Sequence, residues 1–413
     1  MENTMILYGK SEGYRNIFNL TEGIDFNNCI NNIVSAAEKY WFNGNIYKAY
    51  IAWLIINDEN AFSIACEKRD MPEDGVYHIA LKDMAVLKEL FDFDFCSSNN
   101  RDILIILESY NSYAPQKDTA DYQIGVMACE LSQKLESASD EKEFIKTIAD
   151  FYKKYGAGTF GLNKAFTIKE SDGNFTLTPV TKFSDVTLDD LWGYETQKKQ
   201  LCDNTTDFVN GRHANNCLLY GAAGTGKSTC IKAILNQYWS QGLRIIDINK
   251  YQFKYLTPVI DSLKDRNYRF IIYIDDLSFE DFEIEYKFLK SVIEGGIQPK
   301  PDNVLIYATS NRRHLIKESW SDRNDTQAEI HHSDTVAEKL SLAERFGVSI
   351  SFMKPIQKEY QQIVIHLANR AGIVMDEAEL LDRARVWELH HGGMSGRIAR
   401  QFIDSLSSYQ KKD

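Results

Sequence analysis

The sequence predicts an α/β fold: a phosphate-loop module on a five-stranded parallel sheet, a small helical C-terminal lid, and a mainly helical N-terminal domain. Three observations carry the prediction. Five short apolar runs, CLLY (217–220), LRIIDI (243–248), FIIYID (270–275), VLIYATS (304–310) and VSISF (348–352), each read as a strand buried on both faces, and helical patterns fit between the first four. The loop GAAGTGKST follows the first of these runs directly. On either side of this region apolar residues recur at helical spacing.

Residues 1–155 read as helices over NCINNIVSAAEKYW, NIYKAYIAWLIIN, HIALKDMAVLKELF, DYQIGVMACELSQKL and DEKEFIKTIADFYKKY. Asp140 starts the last of these and Gly156 stops it. DILIILESY fits a strand or a buried helix equally. Residues 156–180 form a linker, in which two β-prone runs flank Asp172-Gly173, a hairpin signal. Gly156, Gly158 and Gly161 read as linker or turn, because no Lys-Ser pair follows them. The α/β module spans 181–353 and the helical lid 354–413.

With 413 residues and 44% apolar content, the chain can bury two or three cores. No apolar run reaches the about 18 residues needed to span a bilayer, and the N-terminus lacks a secretion-signal pattern, so a cytoplasmic protein without membrane association is expected. The seven cysteines include no Cys-x-x-Cys and read as reduced thiols. The pairs His331-His332 and His390-His391 lack metal-ligand spacing. The net charge of −12 is uneven, −10 over residues 1–180 and −2 over the rest, so non-specific binding of nucleic acid by the N-terminal part is not expected.

In GAAGTGKST, Gly221, Ala222, Ala223, Gly224, Thr225, Gly226, Lys227 and Ser228 complete the Walker A pattern in its strand–loop–helix context, with Thr229 next. The glycines let backbone N–H groups turn toward phosphate oxygens, and the following helix points its positive end at the same place. Lys227 is placed to reach the β- and γ-phosphates and Ser228 to ligate Mg²⁺. Asp275 lies 48 residues beyond Lys227, at the carboxyl end of a predicted strand, where ligands collect in open α/β sheets. Its expected part is to orient Mg²⁺. Asp276 is read either as the carboxylate that polarises the attacking water or as a helix cap before LSFEDFE, with Glu280 a weaker candidate. Asn311, at the end of NVLIYATSN, is a candidate for positioning that water, with Thr309 and Ser310 as alternatives. Arg345 stands where a helix gives way to a strand, and Arg397 opens a helix after a glycine-rich turn.

The order GAAGTGKS, FIIYIDD, YATSN, AERF, SGR resembles the AAA+ ATPase superfamily over roughly residues 181–411. The resemblance implies ATP and Mg²⁺ as cofactors, with Asn311 as sensor 1, Arg345 as arginine finger and Arg397 as sensor 2. It also places Val186, Leu191, Trp192 and Gly193 in the wall against adenine, although Trp192 fits plain core as well. Asp-Asp in place of the usual Asp-Glu is shared with the replication-initiator and helicase-loader clade. More narrowly, DDLSFEDFEIEYKFLKSVIEGGIQPKPDNVLIYATSNRRHLI and EKLSLAERFG resemble an uncharacterised bacterial AAA+ family, domain of unknown function 815. An arginine finger reaches a neighbouring subunit's nucleotide, so an ATP-dependent oligomer is implied.

Three functions follow as expectations. The first is an ATPase that drives change in a protein partner recognised by the N-terminal domain. The second is a nucleic-acid-associated loader, favoured by Arg312, Arg313, Lys317, Arg383, Arg385, Arg397 and Arg400, although these charges mix with Asp and Glu on ordinary helix faces. The third is a nucleotide switch without turnover. The aromatic-glycine motif of a threading unfoldase is not evident, and KYQFKYL (250–256) reads as a helix start.

Overall fold

The structure is a computed structural model and describes residues 5–94, 101–113, 120–171, 173–279, 285–294, 300–312, 315 and 342–410. It divides into two compact units, Met1–Lys164 with Pro179–Phe183, and Ala165–Thr178 with Ser184–Asp413. No described helix is long and apolar enough to cross a membrane. Every described cysteine is a free thiol, and Cys96 lies outside the described residues.

The first unit is helical: α1 Glu12–Thr21, α2 Phe26–Tyr40, α3 Ile46–Asn57, α4 Ala61–Lys68, α5 Gly75–Phe91, α6 Arg101–Glu108, α7 Ala120–Glu136, α8 Glu141–Tyr155 and α9 Gly158–Leu162. Helix α3 is apolar almost all round because it is buried on nearly all sides, with Ile46, Ile51, Ala52, Ile55 and Ile56 in the core. The ambiguous DILIILESY resolves as α6 followed by a two-residue bridge, β1 Asn43–Gly44 with β2 Tyr110–Asn111. Asp140 caps α8 by accepting the Glu143 N–H at 2.8 Å, and Gly156 ends that helix at φ 81°. The buried Asp83 accepts the backbone N–H groups of Ile6, Leu7 and Tyr8 at 2.7–3.1 Å, which ties the first described residues to α5.

The second unit holds the sheet. All five expected strands are present, as β5 Cys217–Gly221, β6 Leu243–Asp247, β7 Arg269–Ile274, β8 Val304–Ser310 and β9 Val348–Phe352. They lie in the order β6-β7-β8-β5-β9 with every pair parallel. Among the described residues the sheet has seven strands rather than the expected five, because the hairpin that the sequence places in a linker adds to it: β3 Ala165–Ser171 pairs parallel with β6, and β4 Asn174–Pro179 forms the edge. Burial follows position. All seven residues of the central β8 are buried, whereas edge strands β4 and β9 are only partly covered.

Among the described residues, four helices accompany the sheet: α10 Glu195–Val209, α11 Lys227–Tyr238, α12 Leu256–Leu263 and α13 Glu285–Glu294. KYQFKYL is a 3₁₀ turn, Lys250–Tyr255, running into α12. The lid consists of α14 Gln357–Arg370, α15 Glu377–His390 and α16 Gly396–Gln410, packed around Val364, Ala384, Ala399 and Phe402.

Candidate nucleotide site

The site forms where β5 ends. Gly221 closes that strand at φ +134°, and a Cβ there would sit 2.0 Å from the carbonyl oxygen of Phe352 on β9. The Ala222 N–H donates to that same oxygen at 3.1 Å. The loop therefore needs glycine where it passes β9. Gly226, the N-cap of α11, is at φ +96° with Leu191 Cδ2 at 2.1 Å from where a Cβ would be. Backbone N–H groups at the start of α11 open on a cavity of about 500 Å³, within the size range of small-ligand sites.

Lys227 is 7% exposed, and its Nζ donates to Gly221 O at 2.9 Å, Ala222 O at 2.8 Å and Asn311 Oδ1 at 3.1 Å. Burial lowers its pKa; Asp276 and Asp275 oppose that, and Arg397 adds to it. Asn311 Nδ2 in turn donates to Asp276 Oδ1 at 2.7 Å, so one side chain links the lysine to the second acid. Ser228 Oγ donates to Asp275 Oδ1 at 2.8 Å, joining loop to strand end. The same Oδ1 accepts hydroxyls from Tyr273 at 2.7 Å and Thr309 at 2.5 Å. Burial pushes the Asp275 pKa up, but these three donors with the Asp276 N–H outweigh it and hold the carboxyl below its usual value. Asp276 itself sits in the left-handed region at φ 49°.

Hydroxyl and carboxylate oxygens in contact beside a loop of inward-turned N–H groups make a hard-oxygen set that fits Mg²⁺ held jointly with phosphate. Among the described residues no cluster of three or more His, Cys, Asp or Glu side chains could hold a metal ion without such help.

Of the expected residues, Ala223, Gly224, Thr225, Gly226, Lys227, Ser228, Thr229, Asp275, Asp276, Thr309, Asn311, Leu191, Trp192 and Arg397 line the cavity. Gly221 and Ala222 hold the loop from behind, and Gly193 supplies the positive-φ turn after Trp192. Trp192 lines the cavity and also packs on the lid core. The Arg397 N–H donates to Gly224 O at 3.2 Å, placing the start of α16 on the phosphate loop. Arg345 does not line the cavity; it pairs with Glu294 at 2.5 Å. Glu280, Arg313, Lys317 and the His331-His332 pair lie outside the described residues.

Sequence reasoning missed several groups. Tyr194, Ile363, Leu367 and Asp190 line the cavity, and Asp190 pairs with Arg370 of α14 at 2.6 Å. Arg400, weighed for nucleic acid, lines it too. Arg383 is paired with Glu379 on its own helix. Tyr273 was legible in principle, because it lies two residues before Asp275, on the same face of a strand.

Fold and site together define a phosphate-loop type of α/β protein, with a parallel sheet and a helical lid over the loop. The chain belongs to the family described as protein of unknown function (DUF815), which matches residues 162–410. Among solved structures, a point variant of Thermotoga maritima RuvB is similar at 17% identity, over 55% of this chain and 67% of that one, with a TM-score of 0.38. The Thermotoga maritima RuvB Holliday junction branch migration motor is similar at 16% identity, over 55% and 73%, with a TM-score of 0.33. No curated protein matches the chain.

Proposed function

We propose that this protein is an AAA+ ATPase that binds Mg²⁺-ATP at the loop 221–229 and hydrolyses it, with Arg345 supplied to a neighbouring subunit's nucleotide. One observation carries the reading: Lys227, Asn311 and Asp276 form one hydrogen-bonded chain beside the Ser228–Asp275 pair. A cation for the phosphates, an amide to orient water and a carboxylate to polarise it thereby come from three separate segments to one place. Lys227 and the loop N–H groups bind and orient the phosphates. Asn311 holds Asp276 toward the lysine, where the carboxylate would be available to polarise a water beside bound phosphate. Bound Mg²⁺ supplies charge neutralisation on the phosphate oxygens. Trp192, Ile363 and Leu367 offer an apolar wall for the base, while Arg397 and Arg400 add positive charge from the lid.

The location of Arg345 away from the cavity supports the reading of action in trans, and an arginine acting in trans would build a head-to-tail ring or spiral. We assign recognition of a protein partner to the helical N-terminal unit and conformational work to the ATPase module.

Steady-state phosphate release by the purified protein tests the reading. Turnover should vanish in Lys227→Ala, while Asp276→Asn should hold ATP without releasing phosphate. Nucleotide binding with no turnover in the wild type would instead leave a switch. Mixing Lys227→Ala with Arg345→Ala subunits should restore activity, and a mixture that stays silent removes the trans role. A steep salt dependence of affinity for DNA or RNA would favour the loader reading.

A further inference from the structure

We infer that Tyr273 and Thr309 are positioning residues of the nucleotide site: they fix Asp275 toward the cation and, through Thr309, set the turn that carries Asp276. The inference deepens the ATPase reading and rests on it. Three hydroxyls converge on Asp275 Oδ1, and the second carboxylate oxygen carries none of these contacts. Ser228 is the donor expected to ligate Mg²⁺, so Tyr273 and Thr309 are the two that remain to hold the carboxylate. Both are buried, at 6% and 1% exposure, and neither lies on a loop. A lysine or arginine in their place would fix the carboxylate but cancel its charge. Neutral hydroxyls fix it and leave the charge for the cation.

Thr309 has a second task. Its Oγ1 gives its proton to Asp275 and accepts the Asp276 N–H at 3.0 Å, while its backbone oxygen accepts the Leu277 N–H at 2.7 Å. Ser310 Oγ donates to Leu277 O at 2.8 Å. The end of β8 thus grips residues 275–277 at several points, and within that grip Asp276 keeps the left-handed conformation that few non-glycine residues adopt. Thr309 also borders the cavity, but its hydrogen bonds and that of Tyr273 run to the two acids, so both residues act through them.

The test is binding of a fluorescent ATP analogue to the full chain, titrated with Mg²⁺ and repeated in EDTA. Thr309→Val should raise the Mg²⁺ concentration for half-saturation about 10–100-fold, the range typical for groups that orient metal ligands, and Tyr273→Phe about 10-fold. Binding in EDTA should stay within twofold of wild type, and Thr309→Ser should restore the metal dependence. Half-saturation within twofold of wild type in both Tyr273→Phe and Thr309→Val overturns the inference, as does a Thr309→Ser protein no better than Thr309→Val. If Thr309→Val does not fold, Tyr273→Phe decides alone. A wild-type protein that binds no ATP analogue in either condition overturns the ATPase reading and this inference with it.

Discussion

Replacing Gly221 by alanine perturbs the loop at the point where it passes β9. Two costs add. A side chain at φ +134° carries backbone strain of about 1–3 kcal/mol. The new Cβ would lie 2.0 Å from Phe352 O and 3.0 Å from Phe352 N, both backbone atoms, so β9 must move and the Ala222–Phe352 hydrogen bond opens at a further cost of about 0.5–1.5 kcal/mol. The expected destabilisation is about 1.5–4.5 kcal/mol. Gly242, at φ +91° with open space around its missing Cβ, isolates the strain alone, so Gly242→Ala should cost about 1–3 kcal/mol. Native-state hydrogen exchange read at β5 and β9 amides measures the local opening free energy in each variant. Gly221→Ala should also weaken ATP binding, because Lys227 is anchored on the Gly221 and Ala222 carbonyls. Opening energies for the two variants equal within about 0.5 kcal/mol would refute the role given to the backbone clash.

Other consequences are as direct. Asp83→Ala leaves the N–H groups of Ile6, Leu7 and Tyr8 without their acceptor and should destabilise the N-terminal unit by about 2–4 kcal/mol, seen as faster proteolysis near the N-terminus. Burial raises the Asp58 carboxyl to about 6, despite its hydrogen bond from Asn60. Because the folded value exceeds the unfolded one, its contribution is fully present below about pH 4 and is lost as pH rises through about 6. Asp58→Asn should flatten that slope, stabilising the protein at pH 8 by at most about 3 kcal/mol in urea unfolding. Arg397→Ala should weaken ATP binding about 10–100-fold by titration calorimetry, and part of the loss should fade at high salt.

The central strands were legible because burial on both faces writes itself as unbroken apolar runs such as Phe270–Ile274. The loop was legible because phosphate binding demands glycines, a lysine and a hydroxyl at fixed spacing. What the sequence did not show is pairing between distant segments. The hairpin at 165–179 gave its turn signal but no sign that β3 would lie beside β6, since register and neighbours are settled by packing. Glu294 as the partner of Arg345 and Asp190 as that of Arg370 depend on the folded chain alone. Tyr273 looked like one more apolar strand residue, and only its hydroxyl on Asp275 separates it from its neighbours.

The connection between β9 and the lid carries a mechanical consequence. Phe352 ends the strand whose carbonyl holds Ala222, and α14 begins at Gln357 only a few residues later. At the start of the last lid helix, the Arg397 N–H returns to Gly224 O. The phosphate loop is therefore tied at two points to the segments that frame the lid, whose helices include α15 at about 20 Å long. A change in the shape of the phosphate loop must therefore be taken up at both ties, by the end of β9 and by the start of α16.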